Sequence, residues 1–228
     1  MPDLLNTRLG KDAARLEGAL RERAPGPWRS VPCPLIGFEP AGVAVPLGAI
    51  PIFTSAKGVL SASPGTGPAW CVGPRTAEVA RGRGWAARIG GGTADALLEA
   101  VLAMPPEGSL LHVRGEHARG DLAARLRDRG RDAREVVAYR QPFLPLSDAA
   151  SKALSDVGTL VVPLLSPRAG AHFGQIARNA RAPLHIVALS AAVAEAWGGP
   201  VAALADRPEI EALAVSAAPL LVAGGARG

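Results

Sequence analysis

Cysteine and histidine are scarce in this sequence. Two cysteines, Cys33 and Cys71, among 228 residues exclude a disulfide-rich scaffold and a four-cysteine zinc site. The four histidines are scattered, and none belongs to an H-E-x-x-H pattern or to a cluster with metal-ligand spacing. We therefore expect no metal site. Both cysteines lie in apolar stretches, where we expect them to be small buried side chains.

Aromatic residues and long apolar runs are also lacking. Aromatics make up 4% with a single tyrosine, which disfavours a protein that stacks single-stranded nucleic acid on its rings. The longest apolar stretch, residues 210–226, is broken by Glu211, Ser216, Pro219 and two glycines, and predicts a buried helix. The first residues include charge and no apolar signal core, so we expect a cytoplasmic protein.

The composition that is present favours a folded protein with an anionic partner. Hydrophobic residues make up 48%, enough for a buried core. There are 25 Lys and Arg against 20 Asp and Glu, a net charge of +5. This balance favours nucleic acid, an anionic membrane surface, or a ligand with several carboxylates or phosphates.

Short apolar runs alternate with amphipathic stretches along the chain. Leu110–Val113, Thr159–Leu165 and Val201–Ala205 have the pattern of strands, and Lys11–Arg23 has that of a helix with Leu16 and Leu20 on one face. Strands that alternate with helices predict an α/β protein with parallel sheets.

An internal repeat predicts two similar lobes. LLNTR at Leu4–Arg8 is similar to LLHVR at Leu110–Arg114, and FTSAKG at Phe53–Gly58 is similar to LSPRAG at Leu165–Gly170. The chain thus has a short and a long unit, each present twice in alternation. Either adjacent units pair, as 1–104 and 105–228, or the first short unit pairs with the last long one. The repeat does not choose between these pairings.

Hydroxyl and basic residues follow several predicted strands. The carboxyl ends of parallel strands are where open α/β sheets bind ligands, and helix N-termini there suit carboxylates and phosphates. In a two-lobed protein, the two sets can face one cleft. N-capping alone also accounts for the hydroxyls, and solvation for the arginines. The candidate binding residues are Arg8, Thr54, Ser55, Lys57, Thr76, Arg114, Ser166, Arg168 and Ser190.

No nucleophile elbow, paired-carboxylate signature or phosphate loop accompanies these residues. Five segments instead resemble the uroporphyrinogen-III synthases, most closely the alphaproteobacterial form, in the family's order and spacing: IFTSAKGV, CVGPRTAEVA, LLHVRGEHARGDLAARLRDRG, VVAYRQ and LLSPRAGAHF. The likeness covers nearly the whole chain.

The resemblance implies a fold of two similar α/β lobes with parallel sheets flanked by helices, joined by a two-stranded linker. The first lobe is then discontinuous, residues 1–33 plus 147–228. The linker is 34–46 and 138–146, with its strands drawn from Trp28–Ile36 and Arg134–Phe143, and the second lobe is 47–137. A monomer is the default expectation.

The resemblance also implies a function. The family is a cyclising hydro-lyase of tetrapyrrole biosynthesis, which converts hydroxymethylbilane, a linear tetrapyrrole with eight carboxylates, into uroporphyrinogen III with inversion of ring D. It needs no cofactor or metal. The resemblance implies no nucleic-acid or membrane partner, and the further partner expected from it is the upstream deaminase, in a transient contact. The alternative is a non-catalytic two-lobe module that binds an anionic small molecule.

Residue roles carry over by position. Tyr139 matches the family's tyrosine in its V-Y motif and is the candidate for assisting departure of the hydroxyl. Thr54, Ser55 and Lys57 match its F-T-S segment, Thr76 its G-x-x-T-A threonine and Ser166 its S-P serine. One departure is that Ala192 and Val193 replace hydroxyl residues that many members carry, so either the Ser190 hydroxyl or backbone N–H groups are the expected substitute.

Overall fold

The computed structural model of the protein describes residues 1–118 and 120–222. Its contacts divide the chain into two compact units. Unit 1 comprises Met1–Gly37 and the chain from Phe143 onward, and unit 2 comprises Phe38–Pro142. The first lobe expected from the sequence ends at residue 228, and its last six residues lie outside the described residues.

Strands and helices alternate along the chain, as the sequence predicts. In chain order they are β1 (Asp3–Asn6), α1 (Gly10–Arg23), β2 (Ser30–Pro32), β3 (Glu39–Pro40), β4 (Ile50–Phe53), α2 (Ala56–Ser61), β5 (Pro68–Cys71), α3 (Pro74–Arg81), β6 (Ala86–Ile89), α4 (Ala94–Ala103), β7 (Leu110–Gly115), α5 (Leu122–Asp128), β8 (Ala133–Arg140), α6 (Asp148–Ser155), β9 (Leu160–Leu164), α7 (Pro167–Ile176), β10 (Leu184–Ala188), α8 (Ala191–Trp197), β11 (Ala203–Leu204) and α9 (Ile210–Val222).

The sheet of unit 1 is parallel, in the order β11-β10-β9-β1-β2. Its central strand β9 is buried at every position, which is the continuous apolar run expected of a strand covered on both faces. Neighbouring residues of β1 point to opposite faces. Leu4 packs in the core with α1 and α9, whereas Leu5 packs in the core with α6 and α7.

The sheet of unit 2 has the order β3-β8-β7-β4-β5-β6 and is parallel except for β3, which pairs antiparallel with β8. Phe53 and Ile52 of β4 are buried on opposite faces. Phe53 lies in the core with α3, and Ile52 lies in the core with α4 and α5. Parallel sheets flanked by helices confirm the predicted fold class.

The two sheets share one strand order, which is the structural form of the predicted repeat. The order β2-β1-β9-β10-β11 in unit 1 corresponds to β8-β7-β4-β5-β6 in unit 2. The first short segment of the repeat therefore shares a sheet with the last long one. Ser55 and Ser166 are each the second residue after the corresponding strands β4 and β9, and each caps the following helix by accepting a hydrogen bond from a backbone N–H, of Gly58 and Ala169 respectively.

The expectation that Trp28–Ile36 and Arg134–Phe143 are linker strands is wrong for most of their length. Ser30–Pro32 is strand β2, with Val31 in register with Leu5, and residues 133–140 form β8 beside β7. One side of each strand bonds within its own sheet. Among the described residues, antiparallel pairing between the crossing segments is confined to Ile36 with Phe143 and to β3 with the end of β8.

The helices within residues 1–118 and 120–222 are all too short or too polar to cross a membrane.

Candidate functional site

In unit 2, two hydroxyls meet at the carboxyl end of the sheet. The Tyr139 hydroxyl, near the end of β8, lies 3.0 Å from Ser55 Oγ, directly after β4. Ser55 Oγ also accepts a hydrogen bond of 3.0 Å from the Gly58 N–H in the first turn of α2. Strands β4 and β8 are separated in the sheet by β7, so the pair spans the end of that strand. The sequence motifs place both residues at strand ends, and the structure brings them together.

The ring of Tyr139 is held on both sides. A Cβ at position 115 would lie 2.5 Å from ring atoms of Tyr139, so Gly115 is the residue that lets the ring cross the end of β7. Phe38 packs edge-on against the ring, with centroids 5.5 Å apart. The side chain of Tyr139 is only 8% exposed. A ring so confined holds its hydroxyl in one place, as a group that acts on a bound ligand must.

Thr54, beside Ser55, contacts a ring of the neighbouring strand. Its Oγ1 lies 3.1 Å from Nε2 of His112 on β7. His112 is buried, and burial lowers the pKa of its imidazole to about 4, so the ring is neutral at neutral pH. Each of the two hydroxyls after β4 therefore has a hydrogen-bond partner on an aromatic or imidazole ring, Thr54 on a ring of β7 and Ser55 on a ring of β8.

Two other candidates of unit 2, Lys57 and Thr76, lie in the first turns of helices α2 and α3. The Lys57 ammonium lies 5.4 Å from the centre of the Phe38 ring, an attractive cation–π distance. Thr76 is buried in the first turn of α3, which begins after Gly73 with Pro74 at its first position.

The arginines that follow β1 and lie on β7 each have a carboxylate partner in this chain. Arg8 pairs with Asp12 one turn into α1. Arg114 donates a hydrogen bond of 2.7 Å to Glu135, and this bond lowers the pKa of the Glu135 carboxyl. The sequence predicts these arginines as ligand contacts. The structure shows that their charge is partly neutralised by their own neighbours.

In unit 1, Ser166 caps α7, accepting from the Ala169 N–H at 3.2 Å. Ser190 precedes α8, and among the described residues its side chain makes no capping hydrogen bond to that helix. The guanidinium of Arg168 lies 5.0 Å from the ring centre of Phe143, which also stacks on His172 at 4.3 Å. Ser166, Arg168 and Ser190 thus follow β9 and β10, which are adjacent in the sheet of unit 1.

The cysteines take no part in these arrangements. Both are buried, and burial raises the pKa of the thiol to about 12 for Cys33 and about 11 for Cys71. The prediction that they are small buried side chains is confirmed. In the described part of the chain, no three His, Cys, Asp or Glu side chains lie together as a metal site.

Comparison with known families identifies the chain. The sequence model of the uroporphyrinogen-III synthase HemD family matches residues 15–214. The chain belongs to this family. The family predicted from the sequence, and with it the synthase interpretation, is therefore confirmed; the alphaproteobacterial type stays a prediction.

Solved structures of uroporphyrinogen-III synthases have a similar fold. The chain is similar to the Helicobacter pylori enzyme, with a TM-score of 0.62, 18% identity, and coverage of 91% of this chain and 97% of that one. A mutant of the Thermus thermophilus enzyme matches with a TM-score of 0.48 and 15% identity, over 93% of this chain and 96% of that one. No curated protein sequence matches the chain.

Three residues that shape the candidate site of this synthase-family chain are not predicted from the sequence. His112, Phe38 and Gly115 carry no recognisable site motif. Their only signal is the position of His112 in LLHVR, where alternation along β7 makes a polar residue point into the core. A histidine inside such a run indicates a buried hydrogen bond, but the sequence does not give its partner.

Proposed function

We propose that this synthase-family chain converts hydroxymethylbilane into uroporphyrinogen III, with loss of water and inversion of ring D. The family match over residues 15–214 is the observation that carries this proposal. We also propose the division into lobes of residues 1–33 with 147–228 and residues 47–137, with the linker at 34–46 and 138–146.

The proposed reaction begins with departure of the terminal hydroxyl. Its C–O bond breaks, the oxygen leaves as water after gaining a proton, and an azafulvene remains. The far pyrrole ring attacks this carbon through its substituted carbon and forms a spiro intermediate. That intermediate fragments and recloses with the ring inverted, and loss of a proton restores the pyrrole. The redox state does not change, so no oxidant or reductant is required.

Tyr139 is the proposed catalytic residue. Its hydroxyl donates a hydrogen bond to the departing oxygen, where negative charge develops as the C–O bond breaks. Ser55 Oγ already accepts from the Gly58 N–H. When the Ser55 proton is donated to the phenol oxygen, the phenol proton remains available for the substrate. We therefore propose that Ser55, predicted as a substrate contact, instead orients the Tyr139 hydroxyl.

The remaining candidates are assigned to the substrate carboxylates. Eight carboxylates need many N–H, O–H and cationic partners, and strand-end hydroxyls with basic neighbours supply such groups. Arg8 and Arg114, already paired with Asp12 and Glu135, contribute less net charge and hold their loops in place. The other proposed carboxylate ligands are Thr54, Lys57, Thr76, Ser166, Arg168 and Ser190.

Catalysis in this proposal is mainly conformational control, because the hydroxyl of the substrate leaves readily. The enzyme holds both ends of the tetrapyrrole in the geometry for the spiro step. No cofactor or metal has a step to perform. We place the reaction in the cytoplasm, in a monomer. A transient contact with the upstream deaminase would shorten the time in which free hydroxymethylbilane cyclises without inversion.

Salt is expected to weaken substrate binding. If several carboxylates are held by charged and polar groups, screening lowers their attraction as ionic strength rises from about 0.05 to about 0.5 M. The KM for hydroxymethylbilane should rise several-fold over this range, with a smaller change in kcat. A KM that is independent of salt would contradict a cationic binding site.

The activity is tested by a coupled assay. The deaminase generates hydroxymethylbilane in situ, the products are oxidised, and uroporphyrins I and III are separated. Isomer III above the isomer I that forms spontaneously is the expected result. Isomer I alone, from folded protein, would leave the binding module for an anionic small molecule as the better description.

A further inference from the structure

One buried polar side chain near the proposed site remains without a role. His112, in the middle of β7, is 2% exposed. Its Nε2 lies 3.1 Å from Thr54 Oγ1. Its other ring nitrogen, Nδ1, is closed off from solvent and has no hydrogen-bond partner among the described residues. A buried polar atom left without a partner costs free energy, so an apolar residue would suit this position better for stability alone.

The charge state of the ring limits the possible hydrogen bonds. Burial lowers the pKa of His112 to about 4; the charge of Glu135 opposes this shift, and that of Arg114 adds to it. The imidazole is therefore neutral at neutral pH and carries one N–H. That proton is either on Nε2, facing Thr54, or on Nδ1, facing the core.

The two tautomers differ in what they leave unsatisfied. With the proton on Nδ1, a buried N–H donor has no acceptor, and Nε2 accepts a hydrogen bond from the Thr54 hydroxyl. With the proton on Nε2, the N–H donates to Thr54 Oγ1, and only an acceptor is left unpaired. Among buried backbone groups, orphaned N–H donors are rarer than under-satisfied carbonyl acceptors, and we apply the same preference to the ring nitrogens. The second tautomer is therefore favoured, and it leaves the Thr54 hydroxyl proton unused by the ring.

We propose that His112 is a positioning residue: its Nε2–H donates to Thr54 Oγ1 and so directs the Thr54 hydroxyl proton toward a carboxylate oxygen of the ligand. Thr54, which follows β4 next to Ser55, then accepts a hydrogen bond from the ring and acts toward the ligand only as a donor, at the carboxyl end of the sheet. The carboxylate as ligand rests on the proposed function, whereas the tautomer does not depend on it.

The tautomer is measured directly by ¹⁵N–¹H NMR of the histidine ring in the intact protein at neutral pH. Wild-type His112 is assigned by comparison with His112→Leu, which lacks its signals. We expect a protonated Nε2 and a bare Nδ1. A proton on Nδ1 would overturn the proposal, because Thr54 would then donate to the ring. This result is independent of whether the protein turns over hydroxymethylbilane.

Kinetics distinguish positioning from a purely structural role. We expect His112→Leu to raise the KM for hydroxymethylbilane about three- to tenfold, the effect of weakening one hydrogen bond, with less change in kcat. His112→Gln, whose amide can place an N–H near Nε2, should recover part of this loss. In a Thr54→Val background, His112→Leu should have no further effect, because the group through which it acts is gone.

Besides a proton on Nδ1, two kinetic outcomes would reject the proposal. One is an equal loss from His112→Leu with and without Thr54. The other is an unchanged KM in a folded His112→Leu protein that makes isomer III. If the wild type makes no isomer III, the proposed function fails, and the NMR result alone then decides the tautomer.

Discussion

Tyr139→Phe is expected to lower kcat for the formation of uroporphyrinogen III about 10- to 100-fold, at or below the lower limit of general-acid effects because the hydroxyl leaves readily. Affinity for the product should change by no more than about twofold, because the phenol acts on a group that the product no longer has. Phenylalanine keeps the ring that packs on Gly115 and against Phe38. The measurement is kcat from the isomer assay, with product binding by titration.

Ser55→Ala separates orientation of the phenol from its presence. It removes the hydrogen-bond partner of the Tyr139 hydroxyl and the cap of α2. We expect kcat to fall by less than in Tyr139→Phe, and the free energy of unfolding to fall by about 1 kcal/mol. Thr93→Ala is the matched control, because Thr93 caps α4 of unit 2 in the same way at 3.1 Å. It should lose similar stability and keep kcat. A Tyr139→Phe enzyme with wild-type kcat would remove the tyrosine from the mechanism.

Acid is expected to destabilise the protein through His112. The pKa of its imidazole is about 4 in the folded protein against about 6.5 when unfolded, so only the unfolded chain takes up this proton between those values. Its contribution is complete above pH about 6.5 and is lost progressively as pH falls toward about 4. The shift corresponds to about 3 kcal/mol in the free energy of unfolding.

The control for this prediction is His112→Leu, which lacks the titrating group. Denaturant unfolding of both proteins between pH 7 and 4 should show the free energy of the wild type falling relative to the variant. Carboxylates that do not interact with His112, such as Glu211, whose pKa is lowered by its hydrogen bond with Arg15, titrate in both proteins and cancel in the difference. A difference that stays constant across the range would mean that the imidazole titrates normally in the folded state.

Much of the fold follows from the sequence because its signals are local or repeated. The apolar runs of β7 and β9 and the amphipathic pattern of α1 are properties of a few neighbouring residues. The similarity of Leu4–Arg8 to Leu110–Arg114 also predicts two similar lobes, and the structure has two sheets that share one strand order. Which short segment shares a sheet with which long one is a long-range property, and the repeat leaves it open.

The error at Trp28–Ile36 has the same cause. A short extended segment gives no local sign of whether it pairs with a core strand or with the other crossing segment. The Cys33 N–H donates to the Asn6 carbonyl, and Val31 lies opposite Leu5, so part of this segment belongs to the sheet of unit 1. The residues that do pair across, in Ile36 with Phe143 and in β3 with the end of β8, are fewer than the sequence predicts.

The candidate site divides in a similar way. Tyr139, Ser55 and Thr54 are found from motifs at strand ends, where hydroxyls are exposed by the turn into a helix. What the motifs do not give is which residues pair, because the hydrogen bonds between Ser55 and Tyr139 and between Thr54 and His112 join residues far apart in sequence. The carboxylate partners of Arg8 and Arg114 were missed because a strand-end arginine gives no sign of how its charge is balanced.

The central claim is that this chain inverts ring D while it closes the macrocycle. The most direct measurement is the ratio of uroporphyrin III to uroporphyrin I formed from isolated hydroxymethylbilane, with the purified chain as the only enzyme and its concentration varied. The account predicts that isomer III increases in proportion to the chain and displaces isomer I. A product that stays isomer I at every concentration of folded protein would contradict it.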